Sequence, residues 1–105
     1  FDNGQDLTWM WSKFLAKGTS FTCPLPWWNE RETHYVLDSG TAGLGDWKSH
    51  NRNIVDDYTE AVAGDPPMRI VGVWLIANNL FAKQYATASF RNIRVLDEGE
   101  QLFSY

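Results

Sequence analysis

Six tryptophans are the residues of this sequence best suited to binding a ligand. Two pairs are close together: Trp9 and Trp11 flank one residue, and Trp27 directly precedes Trp28. In an extended strand, residues i and i+2 lie on one face about 7 Å apart. The flat face of an indole ring gains dispersion energy against the C–H face of a sugar ring. This spacing indicates either a carbohydrate-binding platform or large side chains that fill a small core.

Polar side chains near these rings complete the predicted site. Trp27 and Trp28 lie in a proline-containing loop and Trp47 follows a Gly-Asp turn, so these three rings can protrude. Burial is the favoured location for Trp9, Trp11 and Trp74, because a small β domain needs core volume. The predicted ligand-binding set is Trp9, Trp11, Trp27, Trp28, Trp47, Asn29, Arg31 and Asp46, with Glu30 and Asn51 as further hydrogen-bonding candidates.

Catalytic chemistry has weaker support in the sequence. The two histidines, His34 and His50, would need carboxylates such as Asp38 or Asp46 to form a metal or hydrolytic site, and no ligand spacing connects them. We therefore expect ordinary hydrogen-bonded histidines, no catalytic residue, no metal site and no cofactor. A small hydrolase using His34 or His50 with nearby acids stays an alternative, and the sequence favours a non-catalytic protein over an enzyme.

The single cysteine and the paired acids also have structural explanations. Cys23 excludes an internal disulfide framework and a multi-cysteine zinc site, and we expect it to be a buried free thiol. Neighbouring Asp56 and Asp57 point in different directions on a helix, so they fit the positive end of a helix dipole better than a catalytic pair.

Composition excludes several classes of protein. The 105 residues carry nine basic and 13 acidic side chains, a net charge of −4, without the basic stripe that nucleic-acid binding requires. The longest apolar run, residues 70–77, is much shorter than the roughly 20 residues of a membrane span. Neither a signal peptide nor a transmembrane segment is recognised, and the compartment is left open.

Period-2 patterns and turn residues predict a mainly β domain. Strands are expected at residues 7–12, 19–23, 33–37, 68–77 and 85–95. The fourth is apolar on both faces, which predicts a central strand, and the fifth changes its alternation near Arg91-Asn92, which predicts a bulge. The fold class expected for residues 1–105 is a single antiparallel β-sandwich of jelly-roll type, with a loose acidic tail over residues 97–105.

Residues 54–63 are the one good helix candidate. Val55, Tyr58 and Val62 recur at helical spacing, and the following Gly64 and prolines end the pattern. Either Asn53 or Asp56 can cap the first turn.

The ordered segments resemble the C-terminal part of a bacterial family, the domain-of-unknown-function 3047 family. The resembling elements are a Leu-x-x-x-Trp-Ser strand (residues 7–12), Gly-Thr-Ser (18–20), a strand that ends in Ser-Gly (33–40), Trp-x-x-x-x-Arg-Asn-Ile (47–54), Asp-Tyr (57–58) and Asp-Pro-Pro before Arg-Ile-Val-Gly-Val (65–73). Members follow the Ile-Val-Gly-Val strand with a run rich in Asp, Thr and Asn, and the corresponding residues 76–80 lack the acids. The resemblance implies a jelly-roll-like sandwich and no established activity.

Members of the family also carry a preceding β-rich portion that is not in this sequence. A partial sandwich would expose apolar sheet surface, and pairing with a second copy would cover it. We therefore expect a homodimer with aromatic residues in its interface. The two leading functional hypotheses are carbohydrate binding through surface tryptophans and an oligomerising structural protein without a small ligand.

Overall fold

Short strands form at the amino-terminal positions where the sequence predicts them. The computed structural model describes residues 1–62, 64–67, 69–77, 85, 87–97 and 100–104, with residues 100–103 described by their backbone. Its elements, in chain order, are β1 (Asp6–Ser12), β2 (Ser20–Thr22), β3 (Glu32–Ser39), α1 (Ile54–Ala61), β4 (Arg94–Asp97) and β5 (Glu100–Ser104). The first three strands and the helix confirm the predicted segments, within two residues at each end.

The first three strands make a mixed sheet in the order β1-β3-β2. β1 runs parallel to β3 and β2 runs antiparallel to it. The prediction of an antiparallel fold is wrong here, because β1 and β2 are consecutive in the chain but lie on opposite sides of β3. The described residues confirm a mainly β protein with one short helix, and they do not confirm a sandwich or jelly roll.

The central strand β3 presents different residues on its two faces. Side chains alternate along a strand, so Tyr35 lies on one face and Glu32 and His34 lie on the other. Pairing in register puts Trp9 beside Tyr35 and Thr8 beside His34. We call the side of Trp9 and Tyr35 the helix face, because α1 hydrogen-bonds to both residues. The opposite side is the thiol face, because the sulfur of Cys23 lies within 4.8 Å of side-chain atoms of Glu32 and His34 there.

Helix α1 begins at the predicted cap. The side-chain oxygen of Asn53 accepts a hydrogen bond from the backbone N–H of Asp56. This contact satisfies one of the amide groups that the first turn leaves without a helical partner. Val55 is exposed, contrary to the helical pattern, whereas Tyr58 and Val62 are buried as predicted.

The buried core around the mixed sheet and the helix is small and centres on Val36 and Tyr58, the two largest side chains that are fully buried. The ring of Phe1 meets that of Tyr58 edge-on, with centroids 5.2 Å apart. Asn3 donates a hydrogen bond of 2.9 Å to the Tyr58 hydroxyl. These contacts join the start of the chain to the helix. The remaining buried residues of the described chain are Cys23, Thr33, Tyr35, Asp57 and Val62.

The carboxy-terminal third differs most from the sequence-based expectation. Residues 69–77 form no strand, and all nine are exposed, so the predicted central strand is wrong over this range. Residues 87–93 are also irregular, and Asn92 adopts a left-handed conformation with φ of 55° at the place of the predicted bulge. Among the described residues after 77, the first strand is β4. β5 pairs antiparallel with β4, so a hairpin forms where a loose tail was expected.

The chain divides into two compact units, Phe1–Gly72 and Val73–Tyr105, where the sequence suggests one domain. Unit 1 holds the mixed sheet and the helix, and unit 2 holds the β4–β5 hairpin. Predictions that concern positions 63, 68, 86, 98–99 and 105 lie outside the described residues.

Candidate functional site

Two exposed indole rings belong to alternate residues of β1, although the β1–β3 pairing shifts its register between Met10 and Trp11. Trp9 and Trp11 are 37% and 46% exposed, while their neighbours Met10 and Ser12 are less exposed. Strand geometry puts the two residues about 7 Å apart. We call this pair the aromatic platform. The expectation that Trp9 and Trp11 are core residues is wrong, because β1 is an edge strand and α1 covers this face incompletely.

Both indole N–H groups of the aromatic platform are already used within the protein. Trp9 Nε1 donates to the Asp57 carboxylate at 2.9 Å, and Trp11 Nε1 donates to the Gly40 carbonyl at 2.9 Å. Gly40 directly follows β3 and has a φ of 81°, a conformation that glycine adopts without strain. Each hydrogen bond fixes the orientation of a ring. The exposed ring surfaces are therefore held in place before a ligand arrives, which lowers the entropy cost of binding.

A buried carboxylate organises the polar groups next to Trp9. Asp57 has a side chain only 5% exposed, and Arg52 donates to both of its oxygens, from Nε at 2.9 Å and from Nη2 at 2.6 Å. Such a two-point contact fixes the plane of the guanidinium as well as its distance. The hydrogen bond to Asp57 raises the pKa of Arg52 above its ordinary value. The guanidinium of Arg52 therefore keeps its positive charge throughout the physiological pH range.

Tyr35 extends this network across the helix face. Arg52 Nη2 donates to the Tyr35 hydroxyl at 3.2 Å, and that hydroxyl donates to Glu60 at 3.4 Å. Glu60 is exposed at the end of α1. The result is a row of hydrogen-bonding groups beside the aromatic platform. We call Tyr35, Arg52, Asp57 and Glu60 the polar row.

Sequence analysis missed all four residues of the polar row. Arg52 and Asp57 are five residues apart on either side of the helix start, whereas side chains in a helix pair at spacings of three or four. The sequence also explained Asp57 by the helix dipole. Tyr35 and Glu60 meet only because α1 packs on β3. Three of the elements that carry the family resemblance contain members of the row: Trp-x-x-x-x-Arg-Asn-Ile contains Arg52, Asp-Tyr contains Asp57, and the strand at 33–40 contains Tyr35.

The other predicted aromatic residues lie elsewhere. Trp27 is 80% exposed in the loop before β3. Trp28 is covered on one ring face by the Arg31 guanidinium, 4.0 Å from the ring centroid. This loop is at the start of β3, whereas Trp11 pairs with Asp38 near its end, so most of the strand length separates them. The remaining predicted residues are all exposed, and they are Asn29, Glu30, Asp46, Trp47 and Asn51.

Trp74, which was expected in the core, is 75% exposed in unit 2. The reason is that residues 69–77 pair with no strand in the described part of the chain, so nothing there encloses their side chains. The prediction that Trp74 is buried is therefore wrong. The same prediction is wrong for Trp9 and Trp11 because they lie on an edge strand.

The two histidines occupy separate sites. His34 Nε2 lies 2.8 Å from a carboxylate oxygen of Glu32 on the thiol face. His50 Nε2 lies 3.0 Å from Asp38 near the end of β3. Each histidine has an acidic partner, and Glu32 was not among the acids expected.

A hydrogen bond from Lys17 lowers the pKa of Asp38, and the charges of Lys17, His50 and Lys48 add to this effect, while burial opposes it. Lys17 Nζ lies 3.1 Å from the Asp38 carboxylate. Because the folded-state pKa is below the unfolded value of about 3.9, ionised Asp38 stabilises the fold above that pH. The stabilisation is lost as the pH falls through the folded-state pKa.

We expect the stability of the Asp38→Asn variant to fall less steeply than that of the wild type as the pH decreases from 6 to 3. The urea midpoints of the wild type and the variant should differ more at pH 6 than at pH 3, since protonation of Asp38 at low pH makes the wild type neutral at this position, as the variant always is. Asp46→Asn, in an exposed loop, serves as the matched control. An Asp38→Asn midpoint that stays equally far below the wild type at both pH values would contradict this assignment.

Across the described ranges, none of the helices has the length and apolar character needed to cross a membrane.

Comparison with known proteins places the chain in a family. No curated protein and no solved structure matches it. Residues 3–94 match the family described as "Protein of unknown function (DUF3047)". The match includes β1, the whole of β3 and α1, and hence the aromatic platform and the polar row. Since it covers most of the sequence, the protein belongs to the DUF3047 family.

Proposed function

We propose that the protein binds a neutral carbohydrate on the helix face of its mixed sheet, without catalysing a reaction. The aromatic platform would stack against the C–H faces of successive sugar rings. The single observation that carries this proposal is the pair of exposed indole rings whose N–H groups are already bonded to Asp57 and Gly40. Rings held in this way offer an apolar face that needs no rearrangement.

The polar row supplies the complementary part of a sugar site. Sugar hydroxyls both donate and accept hydrogen bonds, so they need acceptors and donors beside the stacking surface. Glu60 is an exposed acceptor, and the side chain of Arg52 is 34% exposed next to the buried Asp57. A row that contains two carboxylates and one guanidinium favours a neutral sugar over an acidic one.

The exposed area of an indole ring gives the free energy expected from one stacking contact. An aromatic side chain has roughly 150–250 Å² of surface, and Trp11 leaves 46% of its own exposed. At about 25 cal/mol per Å², covering that surface contributes about 2 kcal/mol before ordering costs. Removing one ring should therefore weaken binding about 10- to 30-fold.

We expect Trp11→Ala to reduce carbohydrate affinity by about 10- to 30-fold while leaving the fold intact. The screen is affinity electrophoresis in gels that contain soluble β-1,3-glucan, β-1,4-glucan, xylan or starch, followed by calorimetry on any polysaccharide that retards the protein. Trp11 is the better position to change, because its N–H bonds only an exposed backbone carbonyl.

Trp27→Ala is the matched control for this experiment. Trp27 is more exposed than Trp11 and lies at the other end of β3, so its loss should leave the affinity unchanged. Absence of retardation in all four gels would contradict the proposal. Equal losses in the Trp11 and Trp27 variants would also contradict it, since the binding surface would then lie elsewhere.

A second candidate function is self-association, favoured by the exposed apolar run at residues 73–77 of unit 2. The exposed large side chains in it are Val73, Trp74, Leu75 and Ile76. Contiguous apolar surface on a soluble protein commonly marks an interface. A homodimer formed through this run would give, by light scattering, twice the 12.1 kDa of one chain, and Trp74→Glu would restore the single-chain mass. A wild-type mass of 12.1 kDa at micromolar concentration would exclude this candidate.

A further inference from the structure

The thiol face of the sheet brings together three side chains that commonly bind transition metals. Cys23, Glu32 and His34 each place one potential ligand atom so that all three atoms lie within 4.8 Å of one another. They come from two adjacent segments: Cys23 directly follows β2, and the other two are alternate residues of β3. We propose that Cys23, Glu32 and His34 form a binding site for a zinc ion. This site is independent of the carbohydrate proposal, which concerns the opposite face.

Sheet geometry explains why these residues meet. Glu32 and His34 are two positions apart on one strand, so they project to the same side. The Cys23 backbone N–H donates to the Glu32 carbonyl at 2.9 Å, which continues the β2–β3 pairing by one residue. The arrangement therefore rests on backbone pairing and needs no long flexible loop. A site built on strands holds its ligands more precisely than one built on loops.

His34 and Glu32 already face each other through atoms that can bind a metal. Nε2 of His34 lies 2.8 Å from a Glu32 oxygen. A zinc ion bound by both residues would lie between these two atoms and replace their hydrogen bond, using the lone pair that a neutral imidazole offers at Nε2. Nδ1 of His34 is buried and has no hydrogen-bond partner in the described part of the chain, and in this arrangement it carries the ring proton.

The donor set selects the kind of metal. A thiolate and an imidazole are poor ligands for Mg²⁺ and Ca²⁺, which prefer oxygen, and good ligands for Zn²⁺. Three protein ligands leave one position of a tetrahedral zinc open to water. The side chains of Glu32 and His34 are 18% and 19% exposed, so solvent and ions can reach the site. On binding, the Cys23 thiol loses its proton to solvent and its sulfur bonds to the metal.

A further contact steadies the carboxylate. Thr8 Oγ1 on β1 donates a hydrogen bond of 3.0 Å to the same Glu32 oxygen that faces His34. A hydrogen bond of this kind orients a ligand without touching the metal, and its loss commonly lowers metal affinity about 10- to 100-fold. Thr8 is thus a positioning residue of the proposed site, and all three strands of the sheet contribute to it.

Cobalt provides a direct test, because Co²⁺ replaces Zn²⁺ in such sites and a cobalt–thiolate bond has an intense charge-transfer absorption in the near ultraviolet. Cys23 is the only cysteine in the sequence, so this band can arise from no other residue. We expect the full chain to take up one Co²⁺ with this band, and one Zn²⁺ to displace it. Elemental analysis after dialysis against Zn²⁺ should give one zinc per chain.

Variants separate this site from adventitious binding. Cys23→Ser should abolish the cobalt band, His34→Gln and Glu32→Gln should each lower zinc affinity, measured by competition with a chromogenic chelator, and Thr8→Val should lower it less. His50→Gln is the matched control, since His50 also contacts a carboxylate but is not one of the three clustered residues. Glu32 and His34 are partly exposed, so their variants remain informative if Cys23→Ser does not fold. Absence of the cobalt band, or an equal loss in the His50 and His34 variants, would overturn the proposal.

Discussion

Replacing Arg52 by methionine should lower the free energy of unfolding by about 3 kcal/mol, which is an unusually large effect for a residue this exposed. The reason lies in its partner: Asp57 is only 5% exposed, and without Arg52 its charge has just the Trp9 indole N–H as a side-chain donor. Breaking a buried ion pair leaves one charge uncompensated, which commonly costs about 3–5 kcal/mol. The Arg52 side chain is 34% exposed, so solvent screens part of the interaction. We therefore expect a loss of unfolding free energy at the lower end of this range.

A double-mutant cycle separates this mechanism from simple loss of packing. Arg52→Met combined with Asp57→Asn removes the stranded charge, so the pair should cost less than the sum of the two single variants. Arg52→Lys keeps the charge but loses the two-point contact, and should give an intermediate stability. Urea unfolding followed by circular dichroism measures the wild type and the four variants. A cost below about 1 kcal/mol for Arg52→Met would contradict the account, since exposed ion pairs give that value.

Replacing Tyr58 by alanine should cost about 3–5 kcal/mol. Tyr58 is 1% exposed, and its ring packs edge-on against Phe1. The substitution removes a whole aromatic side chain from a core that is already small, and the neighbours cannot fill the space without moving. A domain of this size has a total stability of roughly 5–15 kcal/mol, so a large share would be lost.

Tyr58→Phe isolates the hydroxyl of this residue. It keeps the ring and removes the acceptor for the Asn3 amide, which should cost about 1 kcal/mol. The larger change also bears on the proposed site, because Tyr58 follows Asp57 in α1 and helps to hold that helix on the sheet. Thermal unfolding of both variants measures the difference. A Tyr58→Ala cost no greater than that of Tyr58→Phe would show that the ring is not a core element.

Local sequence patterns predicted the first half of this fold well. Alternation in β1 and β3 and the prolines before β3 located those strands, and Asn53 located the start of α1. These features are local, because each depends on residues within a few positions of one another. The order of the strands in the sheet depends on residues far apart in the chain. No pattern in a single sequence predicts that β3 lies between β1 and β2.

The same distinction explains the failed predictions in the carboxy-terminal third. Residues 69–77 are apolar on both faces, which is typical of a central strand, but a strand also needs a partner that the pattern does not specify. The hairpin of β4 and β5 was hidden by the charge of residues 97–100, which resembles a solvated tail. Pairing satisfies the backbone of that segment even though its side chains are polar.

The candidate site was only partly visible in the sequence for a related reason. The i to i+2 spacing of Trp9 and Trp11 identified two rings on one face, yet their exposure depends on β1 being an edge strand. The bond from Trp9 to Asp57 joins residues 48 positions apart, and the contact of Tyr35 with Glu60 joins residues 25 apart. Neither contact follows from spacing, so the polar row required the structure.

The central claim is that Trp9 and Trp11 form the sugar-binding surface, and nuclear magnetic resonance of the tryptophan indole N–H groups tests it most directly. Six such signals are expected, and each is assigned from the variant that lacks it. The titrant is an oligosaccharide of the polysaccharide that retards the protein in the gel. We predict that the Trp9 and Trp11 signals move together and saturate at one affinity, while those of Trp27 and Trp74 stay in place. Movement of the Trp27 signal with no change at Trp9 and Trp11 would contradict the claim.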